Sequence, residues 1–119
     1  MCNITGLSAF ISLITPATTL EPYCYNEMFV GCATLRATPV LPAPTLDNYC
    51  YKNMFYGCSQ LASVTCLATN ISATDCTSNW LREVRSTGAF YKAASMTGWP
   101  TNDSRGIPDG WTVVDYVAP

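Results

Sequence analysis

Cysteine is the residue type with the clearest chemical potential in this 119-residue chain, which contains seven cysteines and no histidine. Without histidine, the Ser-His and Cys-His pairs that activate a nucleophile cannot form. Zinc sites use closely spaced ligand pairs such as C-x2-C, and the chain has no such pair. We therefore predict neither a catalytic nucleophile nor a bound metal or cofactor.

The spacing of the cysteines points to a structural role instead. Cys24, Cys50 and Cys76 follow one another at intervals of 26 residues, and Cys32 and Cys58 share that interval. Residues that recur at the period of a stacked fold form columns, and free cysteines in such positions are typically buried. The pattern therefore favours columns of buried thiols.

Disulfides between stacked cysteines are the alternative interpretation. Neighbouring coils would lie about 4.8 Å apart, which is within the Cα separation of a disulfide. Side chains in one column point in parallel rather than towards each other, and an odd number of cysteines leaves a thiol unpaired. The pattern leaves the redox states of Cys2 and Cys66 open.

The acidic residues give no sign of an acid–base pair. A glycosidase needs two carboxylates that converge across a cleft. The eight acids are instead scattered along the chain: Glu21, Glu27, Asp47, Asp75, Glu83, Asp103, Asp109 and Asp115. The segment 102–104 with Asp109 could form a weak calcium loop, but it lacks the ordered oxygen spacing of such motifs. The chain is therefore predicted not to be an enzyme.

The charge and the hydrophobic pattern of the chain limit the kinds of partner and location to be expected. The net charge of −2 supplies no basic field, so nucleic acid is not an expected ligand. No apolar run reaches the length of a membrane span. The first residues lack the basic and apolar stretches of a signal peptide.

An internal repeat organises the chain. Residues 49–58 and 23–32 agree at seven of ten positions, at an offset of 26. Self-similarity at such a period is typical of solenoids, in which each coil buries its apolar side against its neighbours. The expected coils cover about residues 1–17, 18–43, 44–69 and 70–85. Together they form a predicted solenoid over 1–85.

Each coil is predicted to contain a short helix and a short parallel strand. In the coil over residues 44–69, Leu46, Cys50 and Met54 recur every four residues, as on one face of a helix. Thr45 would cap that helix and Gly57 would end it. The corresponding residues of the preceding coil are Leu20, Cys24, Met28, Thr19 and Gly31. Candidate strands cover residues 35–41 and 61–67, and the fold class is an α/β solenoid of about three leucine-rich coils.

The remainder of the chain, residues 86–119, is predicted to be a cap. Segments 88–93 and 111–116 have the composition of strands, and they are separated by several turn-forming residues. We expect them to form a β-hairpin-like unit over the last coil. No corresponding cap precedes the first coil, so self-association through residues 1–18 or a longer native protein is expected.

The sequence of the repeat resembles that of a known class of repeat. The pattern L-P-A-x-x-L-x-x-Y-C-Y-x-x-M-F-x-G-C-x-x-L over residues 41–61 resembles the BspA-like leucine-rich repeats of bacterial surface proteins. The close of the chain, with G-I-P-x-G-W-T-V over 106–113, is similar to the usual ending of those arrays. This resemblance implies a solenoid, a cell-surface or secreted location, and adhesion or partner binding without a shared active site. Because the chain shows no secretion signal, the location depends on the resemblance alone, and a phage virion is the alternative setting.

Two functions are therefore expected from different classes. The first is a protein-interaction or adhesion module that binds a protein or glycan on a host or neighbouring cell through the solenoid face. Polar and small residues within the candidate strands define that face: Arg36, Thr38, Ala62, Ser63 and Thr65. The second is a carbohydrate-binding module or phage fibre tip, whose aromatic platform would be Trp99, Trp111 and Tyr116.

Overall fold

The computed structural model describes residues 18–102 and 104–118. The predicted first coil over 1–17, Cys2 and nearly all of the segment expected to self-associate lie outside the described residues. Within the described part, no helix has the length and apolar character needed to cross a membrane.

Four short strands form one parallel sheet. They are β1 (Ala37–Leu41), β2 (Ser63–Cys66), β3 (Gly88–Lys92) and β4 (Trp111–Asp115). The strands pair in chain order, and every pair is parallel. Each strand therefore lies beside the strand of the next coil, and the predicted solenoid architecture is confirmed.

The prediction of one helix per coil is wrong, because the described residues contain no helix. Ten-residue trains of tight turns occupy the predicted helical segments at 22–31, 48–57 and 74–83. Alternate backbone N–H groups bond within the train, as in Cys50 to Asp47 at 3.2 Å. In the first two trains the others bond to the next coil, as in Tyr51 to the Cys76 carbonyl at 2.8 Å. Neighbouring coils thus supply the acceptors that an isolated helix would find four residues back.

The turn trains explain why the sequence imitates a helix. Every fourth residue has a positive φ, so a repeat of four residues per turn unit also places Leu46, Cys50 and Met54 on one side. All three are buried. In the preceding coil the corresponding residues are not all buried: Leu20 is buried, whereas Cys24 and Met28 are exposed.

Residues whose backbone has the left-handed conformation, with a positive φ, stack in columns across the coils. They are Tyr23, Tyr49 and Asp75; Glu27, Asn53 and Asn79; and Gly31, Gly57 and Glu83. Glycine adopts this conformation without steric cost, whereas other L-residues lose about 1–2 kcal/mol each. In the first two turn trains and at Asn79, the N–H group of each such residue donates to a carbonyl of the next coil, and this bond holds the residue in the left-handed region.

We expect Asn53→Val to lower the free energy of unfolding by about 1–2 kcal/mol, because a β-branched residue fits poorly at a φ of 54°. Asn53→Gly is the matched control. Both variants lose the hydrogen bond from Asn53 Nδ2 to Glu27 Oε2, so the loss of that bond cancels in the comparison. Urea denaturation of the two variants measures that difference, and equal stabilities would contradict the assigned conformation.

The predicted hairpin at the C-terminal end is also wrong. β3 and β4 are parallel, with Gly88 beside Trp111 and Lys92 beside Asp115, whereas a hairpin is antiparallel. The connection between them packs against the third turn train: Thr77 Oγ1 donates to the Arg105 carbonyl at 2.8 Å. The sheet thus continues through this segment. The division into a solenoid over 1–85 and a cap over 86–119 stays a prediction.

Aromatic rings stack along the solenoid interior. One series consists of Tyr25, Tyr51, Trp80 and Trp99, with ring centroids 5.4–6.0 Å apart. Trp80 is fully buried, and its Nε1 donates to the Gly106 carbonyl at 3.1 Å. Adjacent coils therefore share a continuous aromatic core, which holds the sheet against the turn trains.

Candidate functional site on the outer face of the sheet

Alternation along β2 defines an inner and an outer face of the sheet. Val64 and Cys66 are fully buried, whereas Ser63 and Thr65 are half-buried on the opposite face. Successive side chains of a strand point to opposite faces, so the register carries this assignment to the other strands.

Two rows of side chains cross the outer face. The first row is Ala37, Ser63, Ala89 and Thr112. The second row is Val40, Thr65, Tyr91 and Val114. Small residues fill the first row and larger apolar or aromatic residues fill most of the second. The outer face therefore carries small side chains along one row and larger, mainly apolar side chains along the other.

Only part of the predicted partner-binding set presents its side chains on this face. Thr38 lies in a β-bulge beside Pro39, where its Oγ1 accepts a hydrogen bond from Thr65 N at 3.1 Å. Its hydroxyl therefore replaces a ladder acceptor. Arg36 is exposed just before β1, and its carbonyl accepts from Ala62 N at 2.9 Å. The structure thus places Ser63 and Thr65 on the outer face, and Arg36 and Ala62 at its margin.

A shallow groove of about 380 Å³ lies where the second row reaches β4. Its lining residues are Thr65, Tyr91, Val114, Asp115, Tyr116 and Val117. Asp115 pairs with Lys92 at the end of the strands, so the charge in the groove is balanced. Sequence reasoning missed Tyr91 and Val114. The 26-residue offset between Thr65 and Tyr91 could have identified the first of them.

The predicted sugar platform is distributed over separate places. Trp99 stacks on Trp80 at 5.4 Å with the planes 10° apart. Trp111 is only 7% exposed, and its Nε1 donates to the Arg85 carbonyl at 2.8 Å. Tyr116 lines the groove on the outer face. Two of the three aromatic side chains therefore serve packing, and Tyr116 is the one available to a ligand.

Asn102, singled out above as part of a possible calcium loop, uses its side chain within its own turn. Its Oδ1 accepts from the backbone N–H groups of Ser104 at 3.0 Å and Arg105 at 2.9 Å. Among the residues that the structure describes, no group of three or more His, Cys, Asp or Glu side chains is placed to hold a metal ion.

The periodic cysteines are mostly free and buried. Free thiols are found at Cys24, Cys50, Cys58, Cys66 and Cys76, and Cys24 alone among them is exposed. Cys32 is disulfide-bonded, so the interpretation as free thiols fails at that residue. Burial raises the pKa of the Cys50 and Cys66 thiols to about 12, and that of Cys58 to about 11. These groups are protonated at neutral pH and are poor nucleophiles.

We expect iodoacetamide at pH 8 to label Cys24 at least about tenfold faster than Cys50 or Cys66, because only the exposed thiol is accessible. Mass spectrometry of the labelled peptides measures the individual rates. Labelling in urea provides the control, since unfolding should remove the difference. Equal rates in the native protein would contradict the burial of the two thiols.

Stability should fall as pH rises from about 9 to 12, because Cys66 ionises near 9.0 when unfolded and near 12 when folded. The unfolded chain loses its proton first, so each pH unit in this window removes about 1.4 kcal/mol for that thiol. Urea denaturation at several pH values measures the slope. Cys66→Ala should reduce it, and an unchanged slope would contradict this assignment.

No protein-family model, no curated protein and no solved structure matches this chain.

Proposed function

We propose that this protein is a non-enzymatic binding module that recognises a protein partner through the outer face of its sheet. The observation that carries the proposal is the second cross-strand row, in which Val40, Tyr91 and Val114 leave apolar surface accessible beside the groove. Apolar surface with an aromatic centre and few charges is typical of the core of protein interfaces.

The register of the sheet supports this role because it holds the row in place before binding. Thr65, Tyr91 and Val114 lie side by side on paired strands, so little backbone order has to be gained in a complex. Polar groups surround the row: Ser63 and Thr112 lie on one side, and the Lys92–Asp115 ion pair lies at the end. A dry centre with a polar rim is the usual anatomy of an interface.

The proposed setting is the surface of a bacterial cell or a secreted protein, where the module would act in adhesion to a host or neighbouring cell. This setting is what the resemblance of the 26-residue repeat to BspA-like leucine-rich repeats implies. A phage virion is the alternative setting.

Carbohydrate binding is the second candidate function, and one observation favours it. Tyr91 and Tyr116 line the same groove as the Asp115 carboxylate, so an aromatic ring and a hydrogen-bond acceptor are close together. Sugar rings can pack their C–H faces on tyrosine while a carboxylate accepts their hydroxyl groups. The site for this function would therefore be the groove, with Tyr116 from the original platform and Tyr91 in place of the two tryptophans.

Arrays of purified extracellular-matrix proteins and of glycans, probed with the native domain and its variants, test both functions. Tyr91→Ala should weaken binding by at least about tenfold, since aromatic residues at interface centres commonly contribute 2 kcal/mol or more. Tyr23→Ala is the matched control, because Tyr23 is an exposed tyrosine on the turn side of the coil. A loss confined to Tyr91→Ala on a protein spot supports the first function, and on a glycan spot the second. Equal binding by the two variants would exclude the outer face.

A further inference from the structure

β4 forms an open edge of the sheet in the part of the chain that the structure describes. Its strand pairs with β3, and Tyr116 N donates to the Lys92 carbonyl at 2.7 Å. In a parallel ladder, a residue directs both its N–H and its C=O to one neighbour, and the next residue directs them to the other. The backbone groups of Val113 and Asp115 therefore point away from β3.

This edge lacks the devices that normally prevent further strand pairing. Protected edges carry proline, bulges or unpaired charges. β1, at the other end of the described sheet, contains Pro39 and a bulge. β4 pairs in continuous register, contains three successive β-branched residues at 112–114, and has its one charge neutralised by Lys92. The two ends of the sheet thus differ in their capacity to accept a strand.

An inner row of the core also runs out to this edge. Val64, Phe90 and Val113 are aligned on adjacent strands. The first two are fully buried, whereas Val113 is 43% exposed. An apolar residue from a further strand would continue this row and cover Val113, as each coil covers its predecessor.

Two residues after Val113, the exposed residue of β4 is the charged Asp115. Cys66, Lys92 and Asp115 form the corresponding row, and the side chain of Asp115 is still 58% exposed beside its lysine. A lysine or arginine opposite Asp115 would continue the alternation of charge, and opposite charges on paired strands are favourable.

We propose that the free edge of β4 binds an extended segment of a partner protein as a fifth parallel strand, with an apolar residue opposite Val113 and a basic residue opposite Asp115. The added strand would bond to the N–H and C=O groups of Val113 and Asp115, so that main-chain hydrogen bonds supply affinity. The two side-chain positions supply specificity. This surface differs from the outer face at Val113, which belongs to an inner row, and the two surfaces meet at Asp115, which also lines the groove.

A capped peptide with the sequence of residues 87–93, Thr-Gly-Ala-Phe-Tyr-Lys-Ala, is the probe. In the register that β3 already uses, its phenylalanine would face Val113 and its lysine would face Asp115. NMR titration of the whole chain should shift the amide resonances of Val113 and Asp115. Amide hydrogen exchange at these two residues should slow by at least about tenfold at saturation, because each amide gains a hydrogen bond.

Two N-methylated peptides provide the decisive comparison. The N–H of the peptide tyrosine would bond to the Val113 carbonyl, whereas the N–H of the phenylalanine would point away from β4. Methylation at the tyrosine should therefore weaken binding at least about tenfold, and methylation at the phenylalanine should have little effect. Equal effects of the two modifications would overturn the proposal.

Variants of the protein separate this edge from other surfaces. Val113→Lys should abolish peptide binding, whereas Val117→Lys adds the same charge beyond the strand and should not. Tyr91→Ala, which tests the outer face, should leave it unchanged. No shift up to millimolar peptide would overturn the proposal. Concentration-dependent self-association that Val113→Lys removes would assign the edge to a second copy and overturn it as well.

Discussion

Trp80→Ala is expected to lower the free energy of unfolding by about 3–5 kcal/mol, the range for removing a large buried aromatic side chain. Trp80 is fully buried and stacks on Tyr51 at 6.0 Å and on Trp99 at 5.4 Å. Its ring also packs edge-to-face with the ring of Phe90 in β3. One side chain therefore joins a turn train to the sheet and to the last connection. Small domains have only about 5–15 kcal/mol in total, so the substitution should remove a large part of the stability.

Trp80→Phe separates packing from hydrogen bonding at this position. The phenyl ring retains an aromatic contact but loses the donor that bonds to the Gly106 carbonyl. We expect a loss of about 1–2 kcal/mol from the unpaired carbonyl and the reduced volume. Urea denaturation followed by circular dichroism measures both variants. A loss below about 1 kcal/mol for Trp80→Ala would contradict the central place of this residue in the core.

Gly106→Ala is expected to destabilise the protein by about 2–3 kcal/mol and to lower its melting temperature by about 10 °C. A Cβ atom at residue 106 would lie 2.1 Å from the Pro100 carbonyl oxygen and 2.7 Å from its carbon. These are backbone atoms, and Pro100 O also accepts a hydrogen bond from Ile107 N at 2.9 Å. Relief of the clash must therefore disturb the connection that closes the third turn train.

Gly98→Ala is the matched control in the same connection. A Cβ there would meet the Met96 side chain at 3.7 Å, which is an ordinary contact. Its effect on stability should stay within about 0.5 kcal/mol. Thermal unfolding of both variants provides the comparison. If the two substitutions are equally tolerated, the close approach of residues 100 and 106 is absent in solution.

The candidate site shows how far sequence reasoning extended. The strand positions of Ser63 and Thr65 could be predicted because alternation with Val64 and Cys66 marks the two faces of β2. Tyr91 and Val114 were missed because β3 and β4 were assigned to a hairpin. An antiparallel assignment removes them from the row that contains Thr65. The parallel register then brings Tyr91 and Val114 beside it.

The conformation of the turn trains could not be predicted from the sequence. Apolar residues at intervals of four are compatible with a helix and with a four-residue turn unit, and the periodicity alone does not distinguish them. Hydrogen bonds to the next coil decide the outcome: Tyr25 N bonds to the Cys50 carbonyl at 2.9 Å, and Tyr51 N to the Cys76 carbonyl at 2.8 Å. These hydrogen-bond acceptors are 25 residues away in the chain, so local conformational propensities do not reflect them.

By itself, the sequence of this protein determined the 26-residue period, and through it the stacking of equivalent residues and the parallel pairing of β1 with β2. It determined these properties because a repeated apolar pattern can be buried only against its own neighbouring copies. The tertiary structure decided the local conformation of each coil, the parallel course of β4 and the side chains available on its two surfaces. These depend on backbone partners and packing contacts between distant residues, which exist only once the coils have stacked.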